Sequence, residues 1–180
     1  MEESLIRTSD ADTAGGSIER GASAAAGASV ERSASAASES LEECIRIRFG
    51  LASKDWEQYA PLTLAYLGDC VFDMVVRTVL VKRSRVQAGK LHQKASQIVR
   101  AGTQARIAEA IRPDLTDEEA AVLRRGTNAS PDHNAKNATR REYLAATGLE
   151  ALVGYLYLKG EYDRLVELIH TGAERAGCEL

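Results

Sequence analysis

The stretch PLTLAYLGDCVFDMVVRTVLVK, residues 61–82, decides the fold class. It continues for about six helical turns with Gly68 as its one glycine, and a buried strand would be far shorter. Pro61 suits a first helical position, because the N–H it lacks would be unpaired there anyway. A helix over 61–82 follows. From Leu62 to Val81, Leu62, Leu64, Tyr66, Leu67, Cys70, Val71, Phe72, Met74, Val75, Val76, Val79 and Leu80 cover every direction around it, which predicts a central position. Its charged exceptions, Asp69, Asp73 and Arg77, stand four apart and form one stripe.

A second stretch, YLAATGLEALVGYLYL at 143–158, repeats the oddity, with Glu150 as its only charged residue. An unpaired buried carboxylate costs several kcal/mol or takes up a proton, so such acids are paired or bound to a cation. Two explanations stand open. Asp69 and Glu150 could each be satisfied by a buried arginine or a backbone N–H, or they could converge as an all-oxygen site for Mg²⁺ or Mn²⁺. Asp73 could simply pair with Arg77 one turn on. Gly148 and Gly154 flank Glu150 and would let another backbone approach closely.

The remaining elements are also helical. One helix fits Lys90–Ile111, ended by Pro113. Another begins at the N-cap Thr116, with Glu119 at capping-box spacing, and runs to Arg125 before Gly126. A loop spans Thr127–Thr139, a fourth helix Arg140–Lys159 before Gly160, and a fifth Glu161–Ala176. No strand pattern or internal repeat is visible, so an all-α bundle over 61–178 is predicted. Ahead of it, 41–60 forms a short lead-in with Leu41, Ile45, Phe49 and Trp56 and a stop at Gly50. Residues 1–40, dominated by Ala, Ser and Gly, predict a disordered tail.

Hydrophobic residues make up 44% and charged residues 27% of the 180, as in a globular protein. The net charge of −3 gives no global basic excess, so a polyanion site must come from local clusters. Cys44, Cys70 and Cys178 are far apart and lack zinc spacing, which points to a reducing compartment. No apolar run is long enough to span a bilayer and no leader pattern opens the chain, so a cytoplasmic location is expected. His133 and His170 carry no pattern; Glu167 and His170 have di-iron spacing in a single copy where a bundle needs two.

Leu64-Ala65-Tyr66-Leu67-Gly68-Asp69 resembles the signature helix of the ribonuclease III family, where a Leu-Glu-Phe-Leu-Gly-Asp type run supplies two acids. Thr147-Gly148-Leu149-Glu150-Ala151-Leu152-Val153-Gly154 resembles that family's second catalytic helix, an Asp-x-x-Glu-Ala-Leu-x-Gly pattern. Ala65 and Thr147 stand where the larger enzymes carry Glu and Asp. That combination resembles the short branch without a separate double-stranded-RNA-binding domain, as do Leu91-His92, Lys94-Ala95, Leu123-Arg124-Arg125-Gly126, Asn128-Ala129, Lys136-Asn137 and the acid at Asp73.

The resemblance implies an endoribonuclease of the ribonuclease III catalytic-domain fold. It implies a homodimer cutting double-stranded RNA with Mg²⁺, Mn²⁺ being a substitute, and leaving 5′-phosphate and 3′-hydroxyl ends. Asp69 and Glu150 would bind the metal, with Asp73 in support. A helix apolar on all sides also buries more easily across two small domains than within one. Members of the branch mature 23S ribosomal RNA precursors, and a ribosomal protein on the precursor is a candidate partner. RNA would meet Arg124, Arg125, Asn128, Lys136, Arg140 and Arg141 around the loop, and Lys90, His92 and Lys94 on the second helix. Two rivals remain: a noncatalytic RNA-binding relative, and an all-α Mg²⁺-dependent nucleotide pyrophosphatase, which would show denser Glu-x-x-Glu pairs.

Overall fold

The computed structural model describes residues 40–52, 54–83, 87–129 and 138–180. Among the described residues there are seven α-helices and no strand, as the all-α expectation requires. Ser40, the last residue assigned to the tail, caps α1, Leu41–Arg48: its hydroxyl accepts from the Glu43 N–H at 3.1 Å. The rest of the tail lies outside the described residues. Gly50 follows α1 with φ of 62°, the left-handed turn a helix stop needs. The lead-in then docks through a single 3₁₀ turn, Trp56–Gln58. The Trp56 indole stands edge-on to Tyr155, centroids 5.1 Å apart, and donates to Glu118 at 2.9 Å.

Helix α2, Pro61–Arg83, agrees with the predicted span to within a residue. The single helix expected over Lys90–Ile111 is instead two, α3, Ala88–Ile98, and α4, Ala101–Ile111. Arg100 between them is extended (φ −69°, ψ 148°), and the Thr103 hydroxyl donates to the Gln97 carbonyl at 3.0 Å across the break. Packing explains the break. Helix α3 lies against α2, whereas α4 must lie against α6, Arg140–Lys159, and α7, Tyr162–Arg175, directions that one straight helix cannot serve.

Helix α5, Asp117–Asn128, opens with the predicted capping box between Thr116 and Glu119. It does not stop at Gly126. That glycine is buried inside the helix, where a Cβ would sit 2.7 Å from the Ala151 Cβ and 2.9 Å from the Gly148 Cα. The residue serves helix contact, not chain reversal. Helix α6 has the predicted bounds, starts with a second capping box between Thr139 and Glu142, and ends at left-handed Gly160. The loop expected over 127–139 is described only at its ends: Thr127 and Asn128 belong to α5, and 130–137 lie outside the described residues.

The central helix is α6, not α2. From Ala146 to Tyr157 every residue of α6 except Glu150 is buried, under α2, α4 and α5. Helix α2 contributes Leu64, Phe72 and Val76 to the core, none more than 1% exposed, but leaves Leu62, Tyr66, Met74 and Val81 in the open. The apolar sequence therefore corresponds to one buried face and one uncovered face, on which Tyr66, Met74 and Val81 flank the Asp73–Arg77 pair. On the far side, Arg164 of α7 donates to Glu119 at 2.9 and 3.0 Å and holds that buried carboxyl below its usual range. Among the described residues no helix is long and apolar enough to cross a membrane.

Candidate active site

Helices α2 and α6 touch backbone to backbone, and two glycines make this possible. A Cβ on Gly68 would lie 2.7 Å from both the Glu150 carbonyl carbon and the Gly154 nitrogen; one on Gly154 would lie 2.9 Å from the Leu64 carbonyl carbon. No side chain fits at either point. The crossing sets Asp69, the residue after Gly68, beside Glu150.

Burial and mutual repulsion govern the two acids. Glu150 is half-buried, and its carboxyl is pushed up to about 7, first by loss of solvent and then by the charge on Asp69. Asp69 remains exposed as a residue, yet its carboxyl is also raised, by partial desolvation and by the charge on Asp73. Among the described residues neither acid forms an ion pair, and neither is stabilised by a backbone N–H. Neither a basic side chain nor a backbone N–H among the described residues therefore satisfies this pair. Two adjacent carboxylates with excess negative charge are a donor set suited to a hard divalent cation. No group of three or more His, Cys, Asp or Glu suited to a metal occurs among the described residues, so the protein would supply two ligand side chains and leave other positions to water or phosphate.

Asp73 stands one turn further along α2, where the Arg77 Nε donates to both of its carboxylate oxygens, at 2.8 and 2.7 Å. Its charge reaches Asp69 while its own oxygens are engaged. Ala65 and Thr147, the two non-acidic positions of the motif runs, are both buried, at 5% and 4% exposure. The Thr147 hydroxyl donates to the Tyr143 carbonyl one turn back at 3.0 Å, so it is spent within its own helix.

Among the basic candidates, Lys90, His92 and Lys94 are exposed on α3, as are Arg124 and Asn128 on α5 and Arg140 and Arg141 at the start of α6. Arg125 differs. Its guanidinium lies over the Trp56 ring, 5.3 Å from the centroid, and donates to the Tyr59 carbonyl at 3.4 Å, so it anchors the lead-in. Lys136 and His133 lie outside the described residues. One residue beside the acids escaped the sequence reading. Gln104 on α4, 1% exposed, places its amide against both Asp69 and Glu150 and favours their charged forms. Its signal was present in the sequence: it occupies the register of Ile107, Ala108 and Ile111, the buried stripe of α4.

A family model described as the ribonuclease III domain matches residues 62–161. The chain is 46% identical over 114 residues to the Mini-ribonuclease 3 of Symbiobacterium thermophilum, covering 63% of this chain and 88% of that protein. It is 37% identical over 126 residues to the Mini-ribonuclease 3 of Enterococcus faecalis, covering 69% and 96%. A crystal structure of a Fusobacterium nucleatum protein superposes with a TM-score of 0.60 at 29% identity, over 66% of this chain and 94% of that one. The matched span contains α2, α6 and both acids of the crossing, and so the chain belongs to the ribonuclease III family of endoribonucleases, in its Mini-ribonuclease 3 branch.

Proposed function

We propose that the chain cleaves double-stranded RNA with a divalent cation, Mg²⁺ or Mn²⁺, held by Asp69 and Glu150. The observation that carries this is the pair of desolvated, mutually repelling carboxylates with no basic residue paired to either among the described residues. A bound cation at such a pair supplies charge neutralisation, activation of a water for attack on the phosphodiester, and stabilisation of the leaving oxygen. With the P–O3′ bond broken and the 3′ oxygen leaving with a proton, hydrolysis would give a 5′-phosphate and a 3′-hydroxyl. Asp73 adds negative charge beside Asp69 and is itself steadied by Arg77.

The duplex would lie against exposed Lys90, His92, Lys94, Arg124, Asn128, Arg140 and Arg141, with Lys136 and Arg125 completing the basic set. Duplex RNA is recognised largely through phosphates and 2′-hydroxyls, which suits a set of basic and polar side chains. The substrate we assign is the stalk of a 23S ribosomal RNA precursor, with a ribosomal protein on it as accessory partner, in the cytoplasm. The resemblance of residues 60–172 to the short branch supports this.

Incubating the purified protein with duplex RNA separates the readings. Cleavage with Mg²⁺, none with chelator, and a steep fall with added salt are expected. Asp73→Ala should cut more slowly at limiting Mg²⁺. Duplex binding without cleavage would instead favour a noncatalytic role, and hydrolysis of free nucleotides a pyrophosphatase.

The uncovered face of α2 supports a homodimer. Tyr66 at 80% exposure and Met74 at 46% are costly to leave in water, and a shallow groove whose lining joins Cys70, Met74 and Val81 to Asp73, Arg77 and Lys82 runs along the same face. A second copy would cover the same face of its partner about a two-fold axis. Met74→Glu is therefore expected to sediment as a monomer and to lose cleavage; a dimer unchanged by that charge would place the interface elsewhere.

A further inference from the structure

We propose that Gln104 is the positioning residue of this site, its buried and unpartnered amide poised to donate to the Asp69 and Glu150 carboxylates when a cation is bound, so that their remaining oxygens face the cation. The inference rests on the reading of Asp69 and Glu150 as the metal ligands and adds a third helix to their support.

Three observations carry it. The Gln104 Nε2 is buried and without a hydrogen-bond partner, and it stands beside two acceptor-only groups. A buried amide nitrogen left without a partner costs about 1–3 kcal/mol. Leucine at this register would carry no such cost, since the rest of the stripe, Ile107, Ala108 and Ile111, is apolar and at most 1% exposed. The amide carries two N–H groups, one for each carboxylate, and lies close enough to both to favour their charged forms, short of a complete hydrogen bond to either.

The second observation is the chain break. Because α4 restarts after Arg100, Gln104 falls in its first turn, and its N–H donates to the Arg100 carbonyl at 3.1 Å. The neighbouring Thr103 hydroxyl is held by the Gln97 carbonyl and by the Arg100 guanidinium at 3.2 Å, so the turn that carries Gln104 is pinned from both sides. A continuous α3–α4 helix would not place α4 against α6.

The third is chemical. A lysine or arginine at 104 would neutralise the acids and exclude the cation. An apolar residue would leave their outer lone pairs dry. A carboxamide supplies N–H groups with no net charge, which orients carboxylate ligands without competing for their negative charge.

The test is Mn²⁺ affinity of the full chain, read by electron paramagnetic resonance, with melting in chelator measured in parallel. Glu150→Gln is the control for the site itself. Gln104→Leu is expected to weaken Mn²⁺ binding by about 10- to 100-fold, with a melting temperature in chelator no lower than that of the wild type, since an unpartnered amide has been removed. Gln104→Met, closer in shape, should do the same. Wild-type affinity in either folded variant, or loss of folding in both, would overturn the proposal, the latter by assigning Gln104 a purely structural role. Binding lost in Glu150→Gln but kept in Gln104→Leu overturns this inference alone. A wild type whose Mn²⁺ binding is indifferent to Glu150 overturns the metal site and this inference with it.

Discussion

Glu150→Gln should lower the rate of duplex cleavage by about 10²- to 10³-fold or more, the scale seen when even one uncharged hydrogen-bond donor of a preorganised site is removed. It should do so without unfolding the protein. In the metal-free state the native Glu150 carboxyl is pushed up to about 7, whereas in the unfolded chain it titrates at its ordinary 4.5. Between these values the native state holds more protons than the unfolded state, so stability falls as pH rises through that window. Below 4.5 both states are protonated and no penalty exists. Above 7 both are charged and the whole penalty, about 3 kcal/mol, applies. Glutamine has the shape of glutamic acid and no charge to desolvate. Melting the two proteins in chelator at pH 5 and at pH 8 checks this. The variant should gain on the wild type at pH 8 and roughly match it at pH 5. Parallel curves would mean that the carboxylate is not held under strain and that the metal-site reading lacks its electrostatic ground.

The second large effect is expected at Gly68. On helix propensity alone Gly68→Ala should stabilise α2 by about 1 kcal/mol. The tertiary contact reverses the sign, because the new Cβ would overlap the Glu150 carbonyl and crowd the Gly154 nitrogen. Backbone atoms on a buried helix have no rotamer into which to retreat. The cost should lie at or beyond the upper end of the about 1–3 kcal/mol typical of overpacking, and urea unfolding measures it. Cleavage should fall as well, since the strain is relieved only by moving Asp69 away from Glu150. An alanine variant as stable and as active as the wild type would show that α2 and α6 are not in backbone contact.

Much of this site could be read from residue order. Gly68-Asp69 and Glu150 with Gly154 are local patterns, and an acid alone in an apolar helix is conspicuous whatever surrounds it. Gly126 was misread for the same reason. Following charged Arg124 and Arg125 it has the local look of a helix end, and only its contact with Gly148 and Ala151, far along the chain, shows why it lies inside a helix. Gln104 shows the limit most clearly. Its place on an apolar stripe was visible, but a glutamine there acquires meaning only when α4 brings it against acids on two other helices. Arg125, assigned to RNA by its basic neighbours, also holds Trp56 and Tyr59, a contact that no local pattern announced.

Period, capping and composition were enough for the all-α class and for most helix bounds, because helices form through contacts no more than four residues apart; the family came from the resemblance of two motif runs, 64–69 and 147–154. They could not say that α6 rather than α2 lies at the centre, that α3 and α4 part at Val99–Arg100, or that one face of α2 is left open. Those outcomes depend on which helices cross and how closely, and crossings are set by contacts between residues tens of positions apart, to which no local pattern responds.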